Sequence, residues 1–216
     1  MDTRDLNATY DAWSNTYDET PNPLIEVEEM AVRSLLRTIE FHDVLDAATG
    51  TGRYAVYLAE QGKRVAAVDC NESMLAEARR KAAARQLAIE FRREDISSLS
   101  FGDSSFDLVI CALTLVHIED LTKPCREFVR VLRHGGHLVI SDAHPVVQAE
   151  GGPDRMLELV EGKEPLFFPS YHSQVEDYLQ AMKSAGADVL AALDIPLKLR
   201  GEVFPGALVV WAKKSE

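Results

Sequence analysis

Asp46-Ala-Ala-Thr-Gly-Thr-Gly-Arg-Tyr-Ala55 lies between a short apolar run and a helical pattern, and its reading decides the fold. Gly50 and Gly52 allow the backbone a tight turn and let a ligand approach with no Cβ in the way. The helix expected from about Arg53 to Gln61 directs its unpaired N–H groups at the same space. Gly62 ends that helix, and the next apolar run, 63–69, closes on Asp69. A carboxylate at that place can accept hydrogen bonds from both hydroxyls of a ribose. A turn required only for chain reversal would have no use for this second acid.

The same alternation continues outward from that unit. Asn22-Pro23 can start a helix as N-cap and first helical residue, with Leu24, Val27, Ala31 and Leu35 following at helical spacing. Strands are expected at 43–48, 63–69, 88–95 and 106–116, with helices over about 53–61 and 72–85. The run 106–116 is continuously apolar, as a strand covered on both faces should be. A helix from Thr122 to Arg133 closed by Gly135-Gly136 and a strand at 137–142 come next. The segment 143–172 reads as irregular, rich in Gly and Pro, and too long for a plain connection. Ser173 and Glu176 form a capping-box pattern for a helix that carries Val175, Tyr178, Leu179 and Met182 to Gly186. Two last strands fit 187–194 and 207–212. Short apolar runs alternating with helices are the pattern of a wound parallel sheet.

Length and charge narrow the function classes. At 216 residues the chain suits one α/β domain, 1–216, and 46% apolar content can fill one core. The longest apolar run, Leu108–Val116, is too short to span a bilayer, and the polar, acidic start does not resemble a secretory signal. Cys70, Cys111 and Cys125 have no metal-ligand spacing, and two of them sit in apolar surroundings that suit buried thiols in a reducing compartment, so a cytoplasmic location is expected. A net charge of -12 argues against binding a nucleic acid backbone. The basic residues that cluster, Arg79, Arg80, Lys81 and Arg85, share a helix with Glu72 and Glu77 and read as a solvated face.

Gly50-x-Gly52-x-x-Ala55 alone also satisfies the looser dinucleotide fingerprint of nicotinamide dehydrogenases. The ordered set of motifs resembles the class I S-adenosylmethionine-dependent methyltransferases instead. Asp46 to Gly52 is similar to their first motif, an acid at a strand end followed by a Gly-rich turn. Asp69 with Asn71, Ser73 and Met74 resembles the ribose-binding second motif, and Phe91-x-x-x-Asp95-Ile96 the adenine motif. Phe106-Asp107 resembles the fourth strand, and Leu132-Arg-His-Gly-Gly136-His-Leu138 the turn into the fifth. Tyr10 to Asp18, with Trp13 and Tyr17, resembles the helix that closes over the cofactor in ubiquinone/menaquinone-type, methyltransferase-11-like members. The first glycine of that family is Ala48 here.

The resemblance implies a Rossmann-like, seven-stranded, mostly parallel sheet with helices on both faces and an antiparallel C-terminal strand. It implies S-adenosylmethionine as cofactor, with S-adenosylhomocysteine as product. Asp69 would hold the ribose, Asp95 the adenine amine, and Ile96 and Met74 the ring faces. Ala48, Gly50 and Gly52 would face the methionine portion, with Asp46 near its ammonium, Ala112 at the fourth strand's end, and Tyr17 over the cationic side. Residues 1–40 would form a helical cover and 143–172 an acceptor lid. His144 and His117 are the candidate bases, with Tyr171-His172 behind them. His144 is expected to reach the pocket because Pro145 favours an extended backbone before it.

The acceptor is expected to be a small, apolar or aromatic molecule methylated at O, N, S or C, with no nucleic acid or membrane partner, by a monomer or homodimer. The alternatives are a non-catalytic cofactor-binding or adaptor protein and a protein methyltransferase. The second is disfavoured because Ala112-Leu-Thr-Leu-Val-His117 stands where an Asn/Asp-Pro-Pro-Tyr/Phe motif would follow the fourth strand.

Overall fold

Asn22 begins the first long helix as the sequence predicts: its side chain accepts from Leu24 N at 3.0 Å, and Pro23 follows at the position where a missing N–H is no loss. The computed structural model describes residues 3–14, 16–19, 21–149, 171, 173–199 and 201–215. In chain order its elements are α1 (Thr3–Trp13), a 3-10 turn (Tyr17–Glu19), α2 (Pro23–Leu36), β1 (Asp43–Ala47), α3 (Arg53–Glu60), β2 (Arg64–Asp69), α4 (Glu72–Ala84), β3 (Ile89–Arg93) and β4 (Phe106–Ala112). A second 3-10 turn (Leu115–His117) leads to α5 (Thr122–Val131), β5 (Leu132–Ala143), α6 (Pro145–Ala149), α7 (Val175–Ser184), β6 (Ala187–Leu199) and β7 (Glu202–Lys214).

The seven strands form one sheet in the order β3-β2-β1-β4-β5-β7-β6. β1 to β5 pair in parallel, and β7 inserts antiparallel between β5 and β6. The alternating residues of each strand feed two cores. Leu45, Val109, Ile140 and Val210 pack with Phe128 of α5 and Tyr178 and Met182 of α7 on one face. Val44, Leu108, Val139 and Val209 pack with Val32 and Leu36 of α2 and Tyr54 and Leu58 of α3 on the other. Each such side chain withdrawn from water contributes about 1.5–3 kcal/mol, so the burial of both sheet faces is what holds the strand ends in register.

The structure departs from the sequence reading at several boundaries. Gly135 and Gly136 do not close α5, which stops at Val131; they lie within β5. A Cβ on Gly136 would stand 2.9 Å from Arg133 O and 3.1 Å from Asp107 O, so a close approach of two strands requires that glycine. The fourth strand ends at Ala112 rather than running to residue 116, because Leu113 takes φ +54° and turns the chain. The capping box on α7 is Gln174 with Asp177, one residue beyond the expected Ser173–Glu176 pair. β6 and β7 are each longer than predicted, pairing out to Leu199↔Glu202.

Asp107, part of the fourth-strand motif, stands at the opposite end of the sheet from Asp46 and Asp69. Its Oδ2 accepts from His42 N and Asp43 N, both at 2.9 Å, and Arg133 joins it to Asp43. Its task is to tie the N-terminal ends of β1, β4 and β5. The basic residues of α4 are paired with acids, Arg79 with Glu72, Arg80 with Glu77, Lys81 with Asp18 and Arg85 with Glu60. Cys111 and Cys125 are buried thiols; Cys70 is exposed. No described helix is long and apolar enough to cross a membrane. Most of the expected lid, 150–170 and His172, lies outside the described residues; the part that is described begins with α6, which the sequence reading did not anticipate.

Candidate functional site

In the strand order, β1 stands between β2 and β4, so the chain winds away from it in opposite directions on its two sides. The carboxyl ends of the strands diverge there and leave a crevice. Asp46 comes from β1, Asp69 ends β2, Asp95 follows β3 and Ala112 ends β4; all four line one cavity. Ala48, Gly50, Met74, Ile96, Tyr17 and His117 line it too.

The Gly-rich turn has a distinct task at each position. Ala48 sits at φ +59°, the left-handed region that L side chains enter at a cost of about 1–2 kcal/mol. Ala48→Gly is therefore expected to raise stability by up to about 1 kcal/mol, part of the relief being offset by the freer unfolded chain. Urea denaturation checks it; a loss of stability would show that the methyl group packs usefully. Gly50, at φ +55°, has nothing within 4 Å of an added Cβ, and its N–H donates to Asp69 Oδ2 at 2.8 Å. Gly52, expected at the ligand, does not line the cavity. Its Cβ would meet Ala78 Cβ at 2.9 Å, so this glycine lets α3 and α4 approach.

The three acids are buried or held in specific geometries. Asp46 Oδ2 accepts from Thr49 Oγ1 at 2.6 Å and Ala55 N at 2.8 Å, while no described residue bonds Oδ1. Burial pushes its carboxyl up to about 6. Asp69 Oδ1 accepts from Asn71 N at 2.8 Å, and burial raises its carboxyl against the pull of these backbone donors. Asp95 Oδ1 accepts from Ser97 N at 2.7 Å. A carboxylate oxygen has more than one lone-pair direction, so all three retain acceptor capacity towards the cavity.

The N-terminal elements cover this crevice. Tyr10 Oη stands 3.0 Å from His117 Nε2, and Asn71 Nδ2 donates to Asp11 Oδ1 at 3.0 Å. Asp18 accepts from Thr51 Oγ1 at 2.9 Å and pairs with Lys81 at 2.7 Å. Trp13 packs between Tyr10 and Tyr17, with ring centroids 6.4 and 4.5 Å away, and only the two tyrosines line the cavity. Burial raises both phenols, so both stay protonated, and Tyr10 Oη shares one hydrogen bond with His117 Nε2.

His144 does not join them. Pro145 begins α6 rather than extending the chain, Val146 N donates to His144 Nδ1 at 3.2 Å, and Nε2 meets Asp194 Oδ1 of β6 at 3.1 Å. The buried ring thus starts a helix and fastens it to the sheet edge. Tyr171 also lies off the cavity, its N–H donating to Val116 O at 2.7 Å.

Sequence reading passed over three participants. Tyr10 belongs to the aromatic trio of which the sequence reading prefers Tyr17. Arg53 lines the cavity from the first turn of α3, where the helix dipole disfavours a cation; that mismatch was the available signal. Asp142 at the end of β5 accepts from Val116 N at 2.6 Å and Tyr178 Oη at 3.0 Å, bracing the turn that presents His117. Nothing local distinguishes it from a surface acid.

Residues 45–140 match the family model described as "Methyltransferase domain". Over those residues, from β1 to β5, the chain is similar to a methyltransferase domain. It is 43% identical over 104 residues to demethylmenaquinone methyltransferase of Deinococcus radiodurans, covering 47% of this chain and 43% of that protein. It is 28% identical over 200 residues to methyltransferase GfsG of Streptomyces halstedii, covering 90% and 70%. An S-adenosylmethionine-dependent methyltransferase of Mesorhizobium loti superposes with a TM-score of 0.71 at 26% identity, over 87% of this chain and 98% of that one. The chain spans less than half the length of the first curated relatives it matches. The matched segment runs from β1 to β5 and holds Asp46, Asp69, Asp95 and His117; Tyr10, Tyr17 and Asp142 lie outside it.

Proposed function

We propose that this chain transfers the methyl group of S-adenosylmethionine to a small aromatic molecule of the quinone type. The observation that carries the reading is the convergence of Asp46, Asp69 and Asp95, from three successive strands, on one cavity with an open glycine turn. A ribose needs an acceptor for two hydroxyls, an adenine amine another, and an α-ammonium a third; the carboxylates of the lining suit all three. When bound, the cofactor supplies a methyl group on a sulfonium centre. The protein's part is to align the acceptor with that methyl and exclude water.

The acceptor class rests on the relatives named demethylmenaquinone methyltransferase and on Leu113, Ile118, Tyr10 and His117, which line the same cavity. An acceptor that carries a proton at working pH must lose it, and His117 is the imidazole among the described residues that line the cavity. Tyr10 holds that ring in place. His144 has no part in this reading.

Equilibrium dialysis of the full chain against labelled S-adenosylmethionine tests the cofactor: saturable binding is expected, and its absence overturns the proposal. With a quinol acceptor, His117→Ala is expected to lower turnover and remove the acidic limb of the pH profile. An unchanged profile would leave positioning alone to account for the rate.

A further inference from the structure

We propose that Arg53 is the carboxylate anchor of the bound cofactor, a specificity-determining residue held in place by Glu28 and Tyr54. This rests on the reading of the cavity as an S-adenosylmethionine site.

The lining holds four carboxylates, Asp46, Asp69, Glu94 and Asp95, but among its described residues Arg53 is the only Arg or Lys. An amino-acid ligand brings an anion into this acidic crevice, and Arg53 is the single permanent cation there to receive it. Its guanidinium is positioned from below. Nη1 donates to Glu28 Oε2 at 2.7 Å, and Cζ lies 4.4 Å from the centroid of the Tyr54 ring. Glu28 is fully buried and is itself fixed by Tyr54 Oη at 2.8 Å and by Ser141 Oγ. A guanidinium has five N–H groups in a planar fork. Nε and Nη2 bond no described residue, although the side chain is only 17% exposed. Those two donors are open to an acceptor in the cavity, and a planar fork matches a carboxylate in two parallel bonds.

Placement fits as well. Asp46 and Arg53 lie at the two ends of one glycine turn, so the α-ammonium and α-carboxylate of one amino acid would meet opposite charges. Arg53 opens α3, where the helix dipole opposes a cation; Glu28, from α2, supplies the compensating charge. A structural role alone would be complete with the Glu28 bond and would not require the fork to border the cavity.

The test compares S-adenosylmethionine with its decarboxylated form, which differs only in lacking the carboxylate. Four acidic residues around the ligand favour the more cationic, decarboxylated molecule, so a preference for the intact cofactor must come from a cation. Isothermal titration calorimetry on the full chain is expected to show S-adenosylmethionine binding at least about tenfold tighter. In Arg53→Gln the ratio should fall to within about twofold or reverse. Should that variant unfold because Glu28 is left buried and unpaired, the double variant Glu28→Gln/Arg53→Gln, which removes both charges, gives the decision. Equal weakening of both ligands, or a wild-type ratio near one, overturns the assignment while leaving the cofactor reading intact. Binding of neither ligand by the wild-type chain overturns the cofactor reading itself.

Discussion

Asp69→Ala is expected to raise the dissociation constant for S-adenosylhomocysteine by about 10- to 150-fold, the equivalent of about 1.5–3 kcal/mol for hydrogen bonds to a charged group. The side chain acts on the ligand in two ways. It lines the cavity as an acceptor, and it fastens the turn by taking Gly50 N and Asn71 N at 2.8 Å each. Removing it leaves two backbone N–H groups in search of partners and frees the glycine turn beside it. Calorimetric titration measures the first effect and thermal unfolding the second. A folded variant with wild-type affinity would take Asp69 out of the site and with it the ribose reading of the second strand end.

The second large effect is on stability. Asp142 is buried with its carboxyl pushed up to about 7 from 3.8 by loss of water. A carboxyl raised in the folded state destabilises the fold above that value, and the penalty is relieved as pH falls towards the unfolded value. About three units correspond to about 4 kcal/mol, of which about 3 should be recovered between pH 8 and pH 5. Asp46, raised to about 6, adds about 1.5 kcal/mol in the same direction. Asp43, Asp107 and Glu127 are held low by arginine and backbone partners, so their support is lost only at lower pH, outside this window. Burial also holds the His137 imidazole below 6.5, which works the other way as pH falls, but the two carboxyls outweigh it, so the protein should be more stable to urea at pH 5 than at pH 8. Asp142→Asn, whose carbonyl can still accept from Val116 N and Tyr178 Oη, should flatten that dependence by about 3 kcal/mol. Parallel pH profiles for the two proteins would show that Asp142 does not titrate in this range. Because Asp142 braces the turn before His117, the same variant reports whether that turn depends on the charge.

The order of the elements was legible because it depends on local periodicity and on glycine. The alternation that placed β1, β2 and β4 is a property of a few consecutive residues, and so is the turn after Asp46. The capping box on α7 was missed by one residue because Ser173–Glu176 and Gln174–Asp177 satisfy similar local rules, and packing of Tyr178 and Met182 chooses between them. Gly52 resembled Gly50 in sequence; the difference lies in Ala78, a residue of the next helix.

The sequence by itself determined the wound sheet, the glycine turn and the succession Asp46, Asp69, Asp95, since each acid lies in or just after a strand that its own local pattern marks. Only the tertiary structure decided which polar groups share the cavity. His117 and His144 both follow a strand, yet Leu113's left-handed turn carries one into the crevice, while Pro145 starts a helix that fastens the other to Asp194. Arg53 likewise gained its place only when Glu28, from another helix, came within hydrogen-bond distance. Contacts between residues far apart in the chain depend on how elements pack, and no local pattern encodes that distance.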